Sequence, residues 1–233
     1  MRLTRTRLLL ALALGLAVSG AQAHDEGHKD RHEDAQGNIS RVNGGITAEA
    51  GRTYGDLETV NGGIRVRDGV TAGTVETVNG GIDIGDDAKL DSVETVNGGI
   101  NAGQRVRVAD NAETVNGGLT FGFNSAIRGD LSTVNGGIKI QQTEVGGGIS
   151  TVSGDITVGA KSHVRGGIVV EKPRGVSWGK QRTPRIIIGP QAVVDGTLRF
   201  EREVELFVHP TAKIGAVTGA TAQAFTDALP ARD

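Results

Sequence analysis

Apolar and polar residues alternate in short runs along this chain, and the runs recur at a regular interval. Ile64-Arg65-Val66-Arg67 and Ile82-Asp83-Ile84 carry an apolar residue at every second position, which is the period of a β-strand. Two further apolar positions, Val70 and Val75, separate these runs. The sequence between the runs lacks the 3.6-residue periodicity of an amphipathic helix. The pattern therefore predicts three short strands in each interval.

A repeated pentapeptide sets the interval. VNGGI occurs five times and VNGGL once, and a degenerate copy, VSGDI, occupies Val152–Ile156. The repeat asparagines stand at positions 43, 61, 79, 97, 116 and 135, so the successive differences are 18, 18, 18, 19 and 19. Three strands in about 18 residues form one coil of a β-solenoid. We predict an all-β, single-stranded parallel β-helix of about nine coils over residues 39–215, right-handed by the parallel-crossover preference.

The repeated residues then acquire structural roles. Paired glycines suit corners where a side chain would clash or where φ is positive. The asparagine column suits either a coil-to-coil ladder of amide hydrogen bonds or a series of tight turns. We favour the ladder, because turns alone would tolerate Asp or Gly in some copies. The ladder residues are Asn43, Asn61, Asn79, Asn97, Asn116 and Asn135.

Four copies carry a glutamate two positions before the valine, at Glu58, Glu76, Glu94 and Glu113. We expect this column to face solvent, where screening and basic neighbours limit the repulsion between its charges. A row of equal carboxylates is a poor arrangement for general acid–base catalysis, which needs two groups of different pKa. We therefore predict no catalytic residue in this column.

Composition narrows the class of protein. The 233 residues include 37 glycines and no cysteine, and only seven are aromatic, so the core must consist mainly of Val, Ile, Leu and Ala. With 25 basic and 27 acidic residues the net charge is −2. That balance provides no broad attraction to nucleic acid or to an anionic membrane.

The amino-terminal segment has the pattern of a secretory signal peptide. Arg2, Arg5 and Arg7 precede the apolar run Leu8–Val18, and Ala21-Gln22-Ala23 supplies a small-x-small cleavage site. The apolar run is too short to span a bilayer as a helix, so we expect no stable membrane insertion once residues 1–23 are removed. The mature protein is predicted to be periplasmic or extracellular.

Residues 24–38 are rich in histidine and acidic residues. His24, His28 and His32 are spaced so that they would share one face of a helix and could bind Zn²⁺, Cu²⁺ or Ni²⁺ weakly. The alternative is a disordered, solvated segment, which such a composition favours. No other cofactor is indicated by the sequence.

Two segments depart from the repeat. Residues 171–184 form a predicted loop excursion, in which Trp178, Arg174 and Lys180 could bind a glycan or a phosphate group. The alternative is that Trp178 packs back on the surface of the solenoid. Residues 216–233 are predicted to form a carboxyl-terminal cap or tail, with Phe225 and Leu229 across the last coil.

Two family resemblances cover most of the mature chain. The ETVNGGI units resemble the repeats of the adhesin-like β-solenoid family of bacteria. IIIGPQAVVDGTLRFE and VHPTAKIG, within residues 186–215, resemble the polymer-forming domain of bactofilins. The first resemblance implies a surface role, and the second implies coils that stack end to end in filaments. Both describe the geometry of a coil more closely than they describe a function.

We therefore expect an exported, non-enzymatic β-solenoid that acts as a structural or adhesive surface. The alternatives are a bactofilin-like envelope polymer and, less favoured, a β-helical enzyme acting on polysaccharide. A cell-surface or envelope polymer is the expected partner. The protein is expected to be mainly monomeric, with weak end-to-end association through its amino-terminal coil.

Overall fold

The structure, a computed structural model, describes residues 37–173 and 182–226, together with the backbone of His32–Glu33. These residues contain 27 β-strands and no helix. In chain order the strands are β1 (His32–Glu33), β2 (Ile39–Asn43), β3 (Ile46–Ala48), β4 (Leu57–Asn61), β5 (Ile64–Val66), β6 (Thr71–Asn79), β7 (Ile82–Ile84), β8 (Lys89–Asn97), β9 (Ile100–Ala102), β10 (Arg107–Val108), β11 (Ala112–Asn116), β12 (Leu119–Phe121), β13 (Ala126–Ile127), β14 (Leu131–Asn135), β15 (Ile138–Ile140), β16 (Glu144–Val145), β17 (Ile149–Thr151), β18 (Ile156–Val158), β19 (His163–Val164), β20 (Ile168–Val170), β21 (Arg185–Ile188), β22 (Val193–Val194), β23 (Leu198–Phe200), β24 (Glu205–Val208), β25 (Lys213–Ile214), β26 (Val217–Thr218) and β27 (Ala222–Ala224).

The chain winds through about nine turns of a β-solenoid, as the repeat predicts. Each full turn crosses three faces. The repeat face carries the ETVN segments and their successors, from β2 and β4 to β23 and β26; the second face carries β10, β13, β16, β19, β22 and β25. The nine-residue strands β6 and β8 run across the corner between these two faces, which therefore form one 17-stranded sheet. The third face is a separate ten-stranded sheet from β3 to β27.

Equivalent residues of successive coils lie beside one another in parallel register. Ile64 pairs with Ile82, and Ile82 pairs with Ile100. The interval lengthens where Ile156 pairs with Ile186, because the segment between β20 and β21 is longer than its counterparts in the other coils, yet the register is kept. An insertion at a corner is tolerated because the strands on either side still pair with the same neighbours.

The alternation of the strands places their apolar residues inside. Third-face strands such as β5, β7 and β15 have a buried residue at each end and an exposed residue between. Burial of the branched side chains supplies the main favourable term, about 25 cal/mol per Å² of apolar surface. One inward column of this face consists of Ile46, Ile64, Ile82, Ile100, Leu119, Ile138, Ile156, Ile186 and Leu206.

One corner of the solenoid is built from left-handed residues. Gly51 and Gly69 both have φ of 67° there. In the following coils the same conformation is adopted by residues of varied type, which the sequence pattern does not reveal. These residues, with φ between 46° and 59°, are Asp87, Arg105, Asn124, Gln142, Lys161 and Gln191.

The two ends of the solenoid differ. β1 pairs antiparallel with β2, in which Ile39 and Ser40 are its partners, so part of the first coil's edge is covered. At the other end β26 pairs with β23 and β27 pairs with β24, so the solenoid continues to Ala224. The predicted boundary at residue 215 thus lies within the last coil, because residues 217–224 still stack in register. Ala222–Ala224 is exposed at all three positions.

The described part of the chain holds no helix that is long and apolar enough to cross a membrane.

Candidate functional site

The most regular surface of the molecule is the outward side of the repeat face. At the ends of β4, β6, β8 and β11, a buried apolar residue is followed by a half-buried glutamate, a buried threonine, a half-buried valine and an exposed asparagine. Each residue type lies beside its own kind in the next coil, as Glu76 lies beside Glu94 and Asn79 beside Asn97. Parallel columns of glutamate, valine and asparagine result, with neighbouring strands about 4.8 Å apart.

The asparagine side chains form a continuous ladder. Each Nδ2 donates to the Oδ1 of the asparagine one coil earlier, over distances of 3.2, 3.0, 2.9, 2.9 and 3.0 Å from Asn61 to Asn135. All six asparagines are exposed. None is among the described residues with positive φ, so the tight-turn alternative does not apply. The ladder is therefore an outer seam along the solenoid.

The glutamate column differs from the sequence expectation. Its four members are half-buried, since the column lies between neighbouring side chains of the same face. Burial, followed by the like charges of Glu94 and Glu58, raises the pKa of Glu76 to about 7. Burial is also the main reason why the pKa values of Glu58 and Glu94 are raised. Within the described residues no Lys or Arg forms a salt bridge with these three carboxylates.

The valine column between the glutamates and the asparagines is partly exposed. Val42 and Val134, at the ends of the column, are 40% and 37% exposed, and the four valines between them are half-buried. The surface therefore combines three chemistries in adjacent rows: carboxylate, apolar and amide.

The threonines of the repeat have a role that sequence reasoning missed. Thr77 Oγ1 donates to Gly62 O over 2.8 Å, and Thr95 Oγ1 donates to Gly80 O over 2.9 Å. Both threonines are buried, and each satisfies the carbonyl of the first repeat glycine one coil earlier. The signal was present in the sequence as the Thr that precedes the Val in every copy after the first. Its partner is a backbone group of the preceding coil, which a side-chain pattern does not identify.

In the coils after the first, the same carbonyls explain the first glycine of the pair. A Cβ at Gly98 would lie 2.0 Å from Gly80 O, whereas a Cβ at Gly99 would lie 3.2 Å from Gly118 O. In this coil only the first glycine is therefore strictly required by the approach of the coils; in the first coil the second glycine, Gly45, has the close contact, 2.8 Å to Gly63 O. Positive φ applies at Gly44 alone among the repeat glycines described, with φ of 101°.

The degenerate copy VSGDI holds the residues at the start of β21. Asp155 replaces the second glycine, and its carboxylate accepts hydrogen bonds from the Arg185 backbone N–H at 2.8 Å and from Arg182 Nη2 at 3.0 Å. Nearby, the Arg185 guanidinium forms an ion pair with Glu205 at 2.8 Å and lies 5.2 Å from the centre of the Phe207 ring. The carboxylate of Asp155 thus ties Arg182 and the start of β21 to the preceding coil.

Several predicted residues lie outside the described part of the chain. Trp178, Arg174 and Lys180 of the excursion are among them, as are His24 and His28. His32 contributes backbone to β1, so at this position the chain is extended rather than helical.

The predicted cap is only partly described. Phe225 lies edge-on to the ring of His209, with their centroids 5.6 Å apart, and its backbone N–H donates to Val208 O at 3.4 Å. Phe225 therefore continues the stacking of the coil beside His209. Leu229 lies outside the described residues.

An open groove of about 560 Å³ lies over the first coils of the third face. Both of its arginines lie near carboxylates: Arg65 is 3.9 Å from Asp83, and Arg67 is 3.4 Å from Glu49. Over residues 37–173 and 182–226, no three His, Cys, Asp or Glu side chains are grouped so that they could hold a metal ion.

Comparison with known proteins gives no relative: no family model matches the chain, and neither a curated protein nor a solved structure matches it.

Proposed function

We propose that this chain is an exported, non-enzymatic β-solenoid that serves as a structural or adhesive surface, with the repeat face as its contact surface. Export rests on the signal-peptide pattern of residues 1–23. The observation that carries the contact surface is the register of the repeat face, in which glutamate, valine and asparagine each recur in adjacent coils.

A repeated array suits a repetitive partner. Identical groups about 4.8 Å apart can engage many units of a polymer at once, and each contact after the first is then effectively intramolecular. Weak individual contacts can add up in this way to firm attachment. The expected partner is accordingly a polymer of the cell surface or envelope.

The chemistry of the three columns supports adhesion through broad contact. The partly exposed valines offer apolar area, and the outermost residues, Val42 and Val134, are the most open. The asparagine amides and half-buried carboxylates on either side offer hydrogen-bonding groups. An apolar strip with polar margins is the usual anatomy of a protein contact surface.

Attachment of cells tests the proposal. We would delete the gene and complement it with the wild type or with a Val78→Lys, Val96→Lys variant, which places two charges in the valine column. The matched control is Asn101→Lys, Thr120→Lys, which adds the same charges to exposed positions of the third face. Thermal melting of the purified variants verifies that both remain folded.

We expect the deletion and the valine variant to lose attachment and the control to retain it. An unchanged attachment and an intact envelope in the deletion strain would overturn the proposed role. Equal loss from both variants would place the contact surface elsewhere.

The alternative, an envelope polymer formed by end-to-end stacking, is favoured by one observation. Ala222–Ala224 is exposed in the last strand of the third face, where a further strand could pair. The antiparallel β1 covers part of the opposite end and disfavours continued stacking there. We therefore place the adhesive role first.

A further inference from the structure

The six Asn–Gly steps of the repeat have the same immediate sequence, Val-Asn-Gly-Gly. An Asn–Gly step can deamidate without an enzyme. The glycine backbone nitrogen attacks the asparagine Cγ, forming an N–Cγ bond, while the Cγ–Nδ2 bond breaks and the nitrogen leaves as ammonia with the amide proton. Water then opens the succinimide ring to give aspartate or isoaspartate. Glycine favours the reaction because it has no Cβ to hinder the attack.

Three hydrogen bonds restrain this reaction in the interior of the ladder. At Asn79, Nδ2 donates to Asn61 Oδ1 at 3.0 Å, and Oδ1 accepts from Asn97 Nδ2 at 2.9 Å. The attacking nitrogen, that of Gly80, donates to Asn97 O at 3.0 Å. The side chain cannot rotate and the nitrogen cannot approach Cγ unless these bonds open.

Asn135 keeps only one of the three restraints. Its Nδ2 donates to Asn116 Oδ1 at 3.0 Å. The next coil has Ser153 at the equivalent position, and within the described residues no group donates to Asn135 Oδ1. Nor does the Gly136 N–H have an acceptor there. Asn135 is also exposed, so water reaches it.

Of the other four ladder residues, two have two of the three hydrogen bonds and two have all three. Asn116 has both side-chain bonds, but within the described residues the Gly117 N–H has no acceptor. Asn43 accepts from Asn61 Nδ2, and Gly44 N donates to Asn61 O at 2.8 Å. Asn61 and Asn97 have the same three bonds as Asn79.

We propose that Asn135 is a site of spontaneous deamidation, and that the coil-to-coil hydrogen bonds protect Asn61, Asn79 and Asn97. The modification places a carboxylate at the open end of the ladder. A carboxylate has no hydrogen to donate to Asn116 Oδ1, so the last bond of the seam is lost or the Asn116 amide must turn over.

Peptide mapping of the folded mature protein after prolonged incubation in mildly alkaline buffer tests the proposal. Trypsin places each ladder asparagine in its own peptide, because Arg52, Arg65, Lys89, Arg107 and Arg128 lie between them. We expect Asn135 to deamidate first, roughly 30-fold faster than Asn79, the factor that corresponds to opening two further hydrogen bonds of about 1 kcal/mol each. Equal rates at all six, or a faster rate at Asn79, would overturn the proposal.

Two controls separate structure from intrinsic reactivity. In denaturant the six steps should react at similar rates, since their immediate sequence is the same; a persistent preference for Asn135 would refute the structural cause. In the folded state Ser153→Asn should extend the ladder by one amide and slow the reaction at Asn135. An unchanged rate in a folded Ser153→Asn variant would show that the ladder does not control it.

Discussion

At the scale of single residues, one backbone carbonyl accounts for two constant positions of the repeat. The carbonyl of the first glycine points at the next coil, where a buried threonine donates to it and where the next first glycine must approach it. The position of Gly80 O thus explains both why a threonine stands at position 95 and why a glycine stands at position 98. A larger residue at position 98 would collide with this oxygen, and a threonine lost at position 95 would leave it without its donor.

Gly98→Ala and Gly99→Ala form a matched pair that tests this account. The alanine Cβ at position 98 would lie 2.0 Å from Gly80 O, so the coils must separate, and we expect a loss of about 3 kcal/mol or more in unfolding free energy. At position 99 the nearest atom is 3.2 Å away, and the expected loss is about 1 kcal/mol or less. Denaturant titration measures both. Equal losses would show that the close approach does not select the first glycine.

Asp155 is a residue at which departure from the repeat strengthens the protein. Asp155→Gly makes the seventh copy more like the others but removes the acceptor for Arg185 N and Arg182 Nη2. We expect the variant to lose about 1–3 kcal/mol of stability, the cost of a polar group deprived of its partner. Ser153→Asn, which corrects the other departure in the same copy, is the matched control and should lose little. Thermal melting compares the two, and a neutral Asp155→Gly would contradict the anchoring role.

At the scale of the elements, stacking puts like charges in a row on the repeat face. The pKa of Glu76 is raised to about 7, and those of Glu58 and Glu94 are raised for the same main reason, burial. A carboxyl group whose pKa is higher in the folded state than in the unfolded state binds its proton more tightly when folded. Its contribution to stability is fully present below the unfolded pKa and is lost as the pH rises through the folded pKa.

We therefore expect the melting temperature to fall as the pH is raised from about 4.5 to above 7, with part of the fall due to Glu76. Glu76→Gln removes the charge and should flatten this profile, so that the variant melts higher than the wild type at alkaline pH. Glu144→Gln, at an exposed position of the second face, is the control and should leave the profile unchanged. A Glu76→Gln variant that is less stable than the wild type at alkaline pH would contradict the raised pKa of Glu76.

At the scale of the whole molecule, the ends decide whether coils of separate molecules can stack. A parallel coil ends in free N–H and C=O groups, which pair readily with another strand. β1 occupies part of this edge at β2, and its partners there are Ile39 and Ser40. β1 therefore covers part of the amino-terminal end of the solenoid, which is the end predicted to self-associate.

In a protein that begins at residue 24, removal of residues 24–36 should uncover the edge of β2 and increase self-association. Removal of residues 24–30 alone is the control, because it leaves β1 in place. Light scattering over a concentration series compares the three proteins, and we expect only the longer deletion to assemble. Long filaments formed by the undeleted protein that begins at residue 24 would contradict a mainly monomeric state and favour the polymer alternative.

The sequence by itself determined the class of fold, the faces of its strands and the place of the asparagine column. A pentapeptide that recurs at a nearly constant interval, with apolar residues at every second position between copies, can bury those residues only if successive coils stack in parallel. Ile82 is therefore inside, Arg65 is outside, and Asn79 meets Asn97 because it occupies the same place in the next coil.

Only the tertiary structure decided the features that depend on contacts without a repeated signal. The left-handed corner at Asp87 and Arg105 uses residues of different types, so no pattern marks it. The burial of Glu76 depends on its neighbours in space, since strand alternation alone places it on the outer side of the sheet. The pairing of β1 and the stacking of β27 occur at the ends, where the repeat no longer specifies the neighbour of a strand. Local periodicity fixes which way a side chain points, whereas its solvation and partners are fixed by what the adjacent coil places beside it.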